Sequence, residues 1–302
     1  MNMWLYSAPQ SDTIETERPK YRTQTDAAAW PAAKLQQATN IHLYPEERLM
    51  KEKLYTIPLN DAMNAEDECP FCFIERNVEQ DIMDYVLGSC ASYMESDTRE
   101  ATDKAGFCRM HYKKMFDYGN TLGNGWILKT HYKKLIAEMK DQFSHFTPGK
   151  TSLMDKLKGR PADANAIASW VAEKEKTCYI CDYFTKEYAR YMDTFFYLYK
   201  NDEAFREKLK NSKGFCLHHF GDLCANADAH LGDAEKKDFY PLVFRLMEEN
   251  MERVSGDVDW LIEKFDYRNK DADWKTSKDA VQRGMQKLKG GYPADPVYKM
   301  NK

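Results

Sequence analysis

One arrangement of residues occurs twice in this chain, and it limits what the chain can become more than any other feature. Cys69 and Cys72 form a C-x2-C pair, followed by Gly106-Phe107-Cys108 and His111. Cys178 and Cys181 form a second pair, followed by Gly214-Phe215-Cys216 and His219. Cys72 and Cys108 are separated by 35 residues, Cys181 and Cys216 by 34, so corresponding positions lie 109 or 108 apart. Two such quartets at matched spacing predict an internal duplication built around three sulfurs and one imidazole each.

The chemistry follows from the residue types. Two cysteines with two residues between them can turn both sulfurs to one side, and a C-x2-H at the start of a helix adds one sulfur and one ring nitrogen. Closing C-x2-C on the C-x2-H of its own copy completes a Cys3His set, a standard zinc environment. Helix N-termini favour thiolate, so the ligands need no strong base nearby. The expected ligands are therefore Cys69, Cys72, Cys108 and His111 in one site, and Cys178, Cys181, Cys216 and His219 in the other. Two metal ions are implied, with zinc the default by ligand type and iron–sulfur clusters the alternative. A thiol–disulfide exchanger fits less well, because the C-x2-C pairs lack a βαβ setting. Repeat alignment selects His219 over His218, which is left as the alternative ligand or as a neighbour of one. Cys90 and Cys224 match no position across the copies and read as packing residues, while His131 and His145 read as ordinary helix residues.

The rest of the chain is patterned for helices, and no convincing alternating strand is present, so the fold class is all-α. Residues 1–49 are polar and dotted with proline, and read as a disordered extension. Glu46-Glu47-Arg48-Leu49 before Met50 suggests that this stretch lies upstream of the true start. Residues 50–146 form the first metal-binding repeat, 147–176 a linker, 177–267 the second repeat, and 268–302 a C-terminal helix and tail. Leu54–Leu59 is expected to be extended, because Pro58 disfavours helix before it. Ile74, Val78, Ile82 and Val86 recur at helical spacing after Cys72. Phe184, Tyr188, Tyr191, Phe195 and Tyr199 do the same after Cys181, as a core-facing stripe. Short helices are expected to end at Gly106 and Gly214. A helix from about Asp233 should start or kink at Pro241 and can break at Gly256. A last helix, Ser277–Leu288, should be capped by Thr276.

The charge balance, 44 basic against 48 acidic residues, carries no nucleic-acid footprint. No run of eighteen apolar residues exists for a membrane span, and the first residues lack the features of a secretory signal. A cytoplasmic setting follows, in which paired cysteines read as metal or redox sites. There is no G-x-G-x2-G, no P-loop and no C-x2-C-H. Asp257, Asp259, Asp266, Tyr267 and Arg268 make the densest polar-aromatic cluster, a candidate cleft lining. The reading is a metal-stabilised, non-enzymatic binding or regulatory module with an unidentified protein or small-molecule partner. A redox protein with clusters or reactive thiols is the alternative. An enzyme with one open site is hinted at only by His218 beside His219.

Three segments together, Lys51-Glu52-Lys53-Leu54-Tyr55-Thr56-Ile57-Pro58, the two C-x2-C…G-F-C-x2-H units and Glu263-Lys264-Phe265-Asp266-Tyr267-Arg268, resemble an uncharacterised bacterial family carrying a domain-of-unknown-function name. The resemblance spans about Met50 to Leu288. It implies that the chain's pattern opens at Met50 and that the Phe-Asp-Tyr-Arg segment belongs to the domain.

Overall fold

A computed structural model describes residues 45–148 and 165–295. Of the expected disordered extension 1–49, residues 1–44 lie outside the described residues, as does the Gly159-Arg160-Pro161 part of the linker, whereas 45–49 are helical. The described residues are all helical apart from turns and connections, with no strand among them. None of their helices is long and apolar enough to cross a membrane.

Helix α1 (Pro45–Asn64) precedes the first copy and corrects one expectation, since Leu54–Leu59 is helical with Pro58 inside it. A proline in a helix interior costs about 3 kcal/mol. Leu59, Ala62 and Met63 on the following turns are buried in the core, and α1 packs on its neighbours through them. Burying large apolar side chains contributes about 1.5–3 kcal/mol each, enough to outweigh the proline.

The first copy then runs α2 (Pro70–Leu87), α3 (Ser96–Ala105), α4 (Arg109–Tyr118) and α5 (Thr121–His145). After α6 (Ala166–Glu175), the second copy repeats this order as α7 (Tyr179–Asn201), α8 (Glu203–Lys210), α9 (Leu217–His230) and α10 (Asp233–Glu263). Each copy is thus a long helix, a short one, one that opens on C-x2-H, and a second long one. The glycine before each Phe-Cys takes a left-handed φ, +61° at Gly106 and +71° at Gly214, where other residues are strained. That requirement explains the repeated Gly-Phe-Cys.

Helix α10 continues without a break past both Pro241 and Gly256. Phe239, Val243, Leu246, Met247, Asn250 and Val254 are buried along one face of it, and this packing overrides the local preference for a break. The last helix, α11 (Ala280–Lys289), begins later than expected. Thr276 does not cap it; its hydroxyl donates to Asp257 at 2.6 Å, while Ser277 is buried in the turn.

Among the described residues, two hydrophobic clusters form the interior. Phe71, Phe195, Phe205 and Phe215 pack ring to ring in the first, joined by Phe239 and by Leu59 of α1. Ile82, Met83, Val86, Leu87, Phe107, Met115 and Ile127 make the second, together with Cys178 and Ile180 of the other copy. Helix α2 contributes its first two turns to one cluster and its last two to the other, so it runs through both.

Candidate metal centres

All eight expected residues converge in two groups, but the copies exchange partners. Cys69 and Cys72 of the first copy meet Cys216 and His219 of the second; Cys178 and Cys181 of the second meet Cys108 and His111 of the first. The expectation that each copy closes on its own quartet is corrected here.

The reason is a length. Residues ten apart on a helix are about 15 Å apart along its axis. The chain climbs α2, turns at 92–94, and descends only the ten residues of α3 before reaching Cys108. His111 therefore stands beside Glu79, with Nε2 to Oε1 at 3.0 Å, ten residues up the helix from Cys69. The second copy repeats this: His219 packs against Tyr188, ten residues after Cys178, with ring centroids 5.7 Å apart. Neither C-x2-H can reach the C-x2-C of its own copy. Tyr179 N–H donates to the carbonyl of Gly106, and Thr177 Oγ1 to that of Ala105, which fixes the second copy's cysteines against the first copy's loop.

Each group has the dimensions of a tetrahedron. In the first, His219 Nδ1 lies 3.3, 3.5 and 3.1 Å from the sulfurs of Cys69, Cys72 and Cys216, and the Cys72 and Cys216 sulfurs are 3.8 Å apart. In the second, His111 Nδ1 lies 3.2, 3.2 and 3.3 Å from Cys108, Cys178 and Cys181, with Cys108 and Cys181 sulfurs 3.9 Å apart. Sulfurs bonded to one zinc at about 2.3 Å sit about 3.8 Å from each other in a tetrahedron. All ligand atoms of a group lie within 4.8 Å of one another, which suits a single ion. A cluster places its ligands on separate irons and spreads them further.

The electrostatics supply one preferred thiolate to each group. Hydrogen bonds from the Cys69 and Cys72 thiols hold Cys216 far below the usual thiol range, and the His219 backbone N–H points at its sulfur from 3.4 Å. Burial pushes Cys178 up, but hydrogen bonds from His111 and from the backbone of Cys181 and Cys108 outweigh it and bring the thiol to about 6. Burial likewise disfavours a charged His111, yet Cys178 and Glu79 raise it to about 10.

The carboxylates were not legible as site residues. Glu75 Oε1 stands 3.1 Å from His219 Nε2, as Glu79 does from His111 Nε2. Such an acceptor fixes the ring and raises its basicity toward a metal on the other nitrogen. In sequence both read as solvated acids on a helix face; their only signal is a place three and seven residues after Cys72. The duplication also appears in a pair no motif marks: Glu79 with Lys114 in the first copy stands where Tyr188 with Asp222 stands in the second, offset by the same 109 and 108.

The two groups differ in closure. Cys69, Cys216 and His219 are fully buried, and Gly290, just past the end of α11, lies over the sulfurs, where a Cβ would fall 3.5 Å from Cys216 Sγ and 3.6 Å from Cys72 Sγ. Cys108 and Cys181 are partly exposed. Cys90 and Cys224 stay outside both groups. His131 Nδ1 lies 3.0 Å from the Asp103 carbonyl, its ring near Gly106, and His145 is exposed on α5. The candidate cleft residues have separate partners: Asp257 pairs with Arg283, Asp266 with its neighbour Arg268, and Tyr267 is almost fully exposed.

Fold and site together define an all-helical protein of duplicated units with two Cys3His groups, each shared between the copies. Over residues 50–295 the chain matches the family described as a family of unknown function, DUF6062, and it belongs to that family. No curated protein and no solved structure matches it.

Proposed function

We propose that the chain binds two zinc ions, one in each Cys3His group, and that these ions fasten the two copies to each other as the frame of a binding or regulatory module in the cytoplasm. The observation that carries the reading is the tetrahedral spacing of three sulfurs and one Nδ1 in both groups. Four protein ligands fill a tetrahedral ion completely, which is the arrangement of structural rather than catalytic zinc. Because the ligands of each ion come from distant parts of the chain, metal binding adds directly to folding free energy. The redox alternative draws on Cys108 and Cys181, whose partial exposure gives oxidants access to one group.

Metal analysis and an absorption spectrum of protein purified without oxygen test both readings. Two colourless zinc ions per chain are expected. Visible absorption accompanied by iron and sulfide favours the redox reading, and protein without bound metal overturns the proposal.

A further inference from the structure

The sealed group has a third set of ligand atoms at its outer edge. Glu75, His218 and His219 bring one ligand atom each to within 4.8 Å of one another. His219 Nε2 faces outward from the sulfurs, fully buried, toward Glu75 Oε1 at 3.1 Å. Beyond it, Glu75 is 28% exposed and His218 is 61% exposed, its ring centroid 5.0 Å from that of His219 and its Nε2 3.6 Å from Asp222. The set therefore runs from solvent to the back of a ligand whose other nitrogen touches three sulfurs.

The duplication makes this set informative, because the other copy lacks it. The position matching His218 is Met110, and the position matching Glu75 is Phe184. The open group, with Cys108 and Cys181 already reachable, has a thioether and a phenyl ring in these places. The buried group, closed over its sulfurs by Gly290, has a carboxylate and an imidazole. Oxygen and imidazole donors accept zinc and similar divalent cations but hold them less tightly than three thiolates do. Weak ligands at the edge of a closed site are what stepwise transfer requires.

We propose that Glu75 and His218, set beside the outward nitrogen of His219, form a transfer site for a divalent cation, through which the sealed Cys3His group exchanges its metal; the proposal rests on the zinc reading above. When the sulfurs hold an ion on Nδ1, Nε2 carries the ring proton and faces Glu75. An incoming ion is then held by Glu75, His218 and water, one imidazole away from the ion it replaces.

Exchange of bound zinc in the loaded full-length chain tests this. Protein carrying natural zinc is mixed with excess zinc-67, and incorporation is followed by native mass spectrometry. Two phases are expected, a fast one from the open group and a slow one from the sealed group, assigned with Cys181→Ser, which disables the open group. His218→Ala alters an exposed residue, so the chain keeps its fold and two ions. It should slow the slow phase by about tenfold or more, on the scale of ligand-supporting residues, and leave the fast phase unchanged. A slow phase unaffected by His218→Ala overturns the transfer site, and so does equal slowing of both phases. A wild-type chain that carries no zinc overturns the underlying metal reading instead.

Discussion

The sulfurs of Cys72 and Cys216 lie 3.8 Å apart although 144 positions separate them in the chain. Cys72 and Cys108, neighbours in the motif, belong to different groups. This crossing means that neither copy owns a complete site, and it distinguishes the structure from the simpler arrangement that the motif spacing suggests.

Zinc stoichiometry of double variants reads the crossing directly. Cys72→Ser with Cys216→Ser should cost the protein one ion, because both changes fall in one group. Cys72→Ser with Cys108→Ser should cost two. Closure within each copy predicts the reverse, and native mass spectrometry separates the two outcomes.

Glu79 accepts from His111 and also pairs with Lys114. Replacing Glu79 with Gln removes a charged acceptor from a ring that the sulfurs need in one orientation. Zinc affinity of the open group should fall by about 10–100-fold, as for other carboxylates behind metal-bound histidines. Competition with a chromophoric chelator measures it, with the sealed group as internal reference.

Gly290 has φ +78° and ψ 175°, a conformation essentially reserved for glycine. A Cβ there has room beside the sulfurs, so the cost of Gly290→Ala is backbone strain rather than collision. The variant should lose about 1–3 kcal/mol in thermal unfolding. Its sealed group should also give up zinc to a chelator faster, because the segment that covers the sulfurs is the one displaced.

Lys287 is buried at the foot of α11, where its ammonium donates to the carbonyls of Glu68 and Lys213 and lies 3.2 Å from the Glu68 carboxylate. Glu68 is itself buried and also paired with Arg253. Lys287→Met leaves two carbonyls without their donor and a buried carboxylate short of one cation, a loss of about 3 kcal/mol. Urea unfolding of the zinc-loaded protein checks the value; a change within error would show that the ammonium's burial cost cancels its contacts.

Asp257 joins α10 to α11 through Arg283 and to the turn before α11 through Thr276. Burial raises its carboxyl, but those two hydrogen bonds outweigh burial and hold it below the ordinary 3.8. A carboxyl lowered in the folded state stabilises above its unfolded value and loses that contribution as pH falls through the folded one. Thermal stability of the wild type should therefore drop between pH 3.8 and the lower folded value more steeply than that of Asp257→Asn.

The sequence by itself determined the eight sulfur and imidazole positions, the helical class, and the repeat. These depend on short-range facts: two residues between ligands, apolar side chains every three or four positions, and a glycine where φ must be positive. It also selected His219 over His218, because the repeat supplies a register. It misjudged Pro58 and Gly256, where local preference for a break is smaller than the packing of Leu59 and Val254 around them. Only the tertiary structure decided which cysteine meets which histidine, since that depends on how far α3 and α8 carry the chain back along α2 and α7. The placement of Glu75 and Glu79 beside the two imidazoles was decided at the same level. A carboxylate on a helix acquires its meaning from the ring placed opposite it, and each ring arrives on another helix.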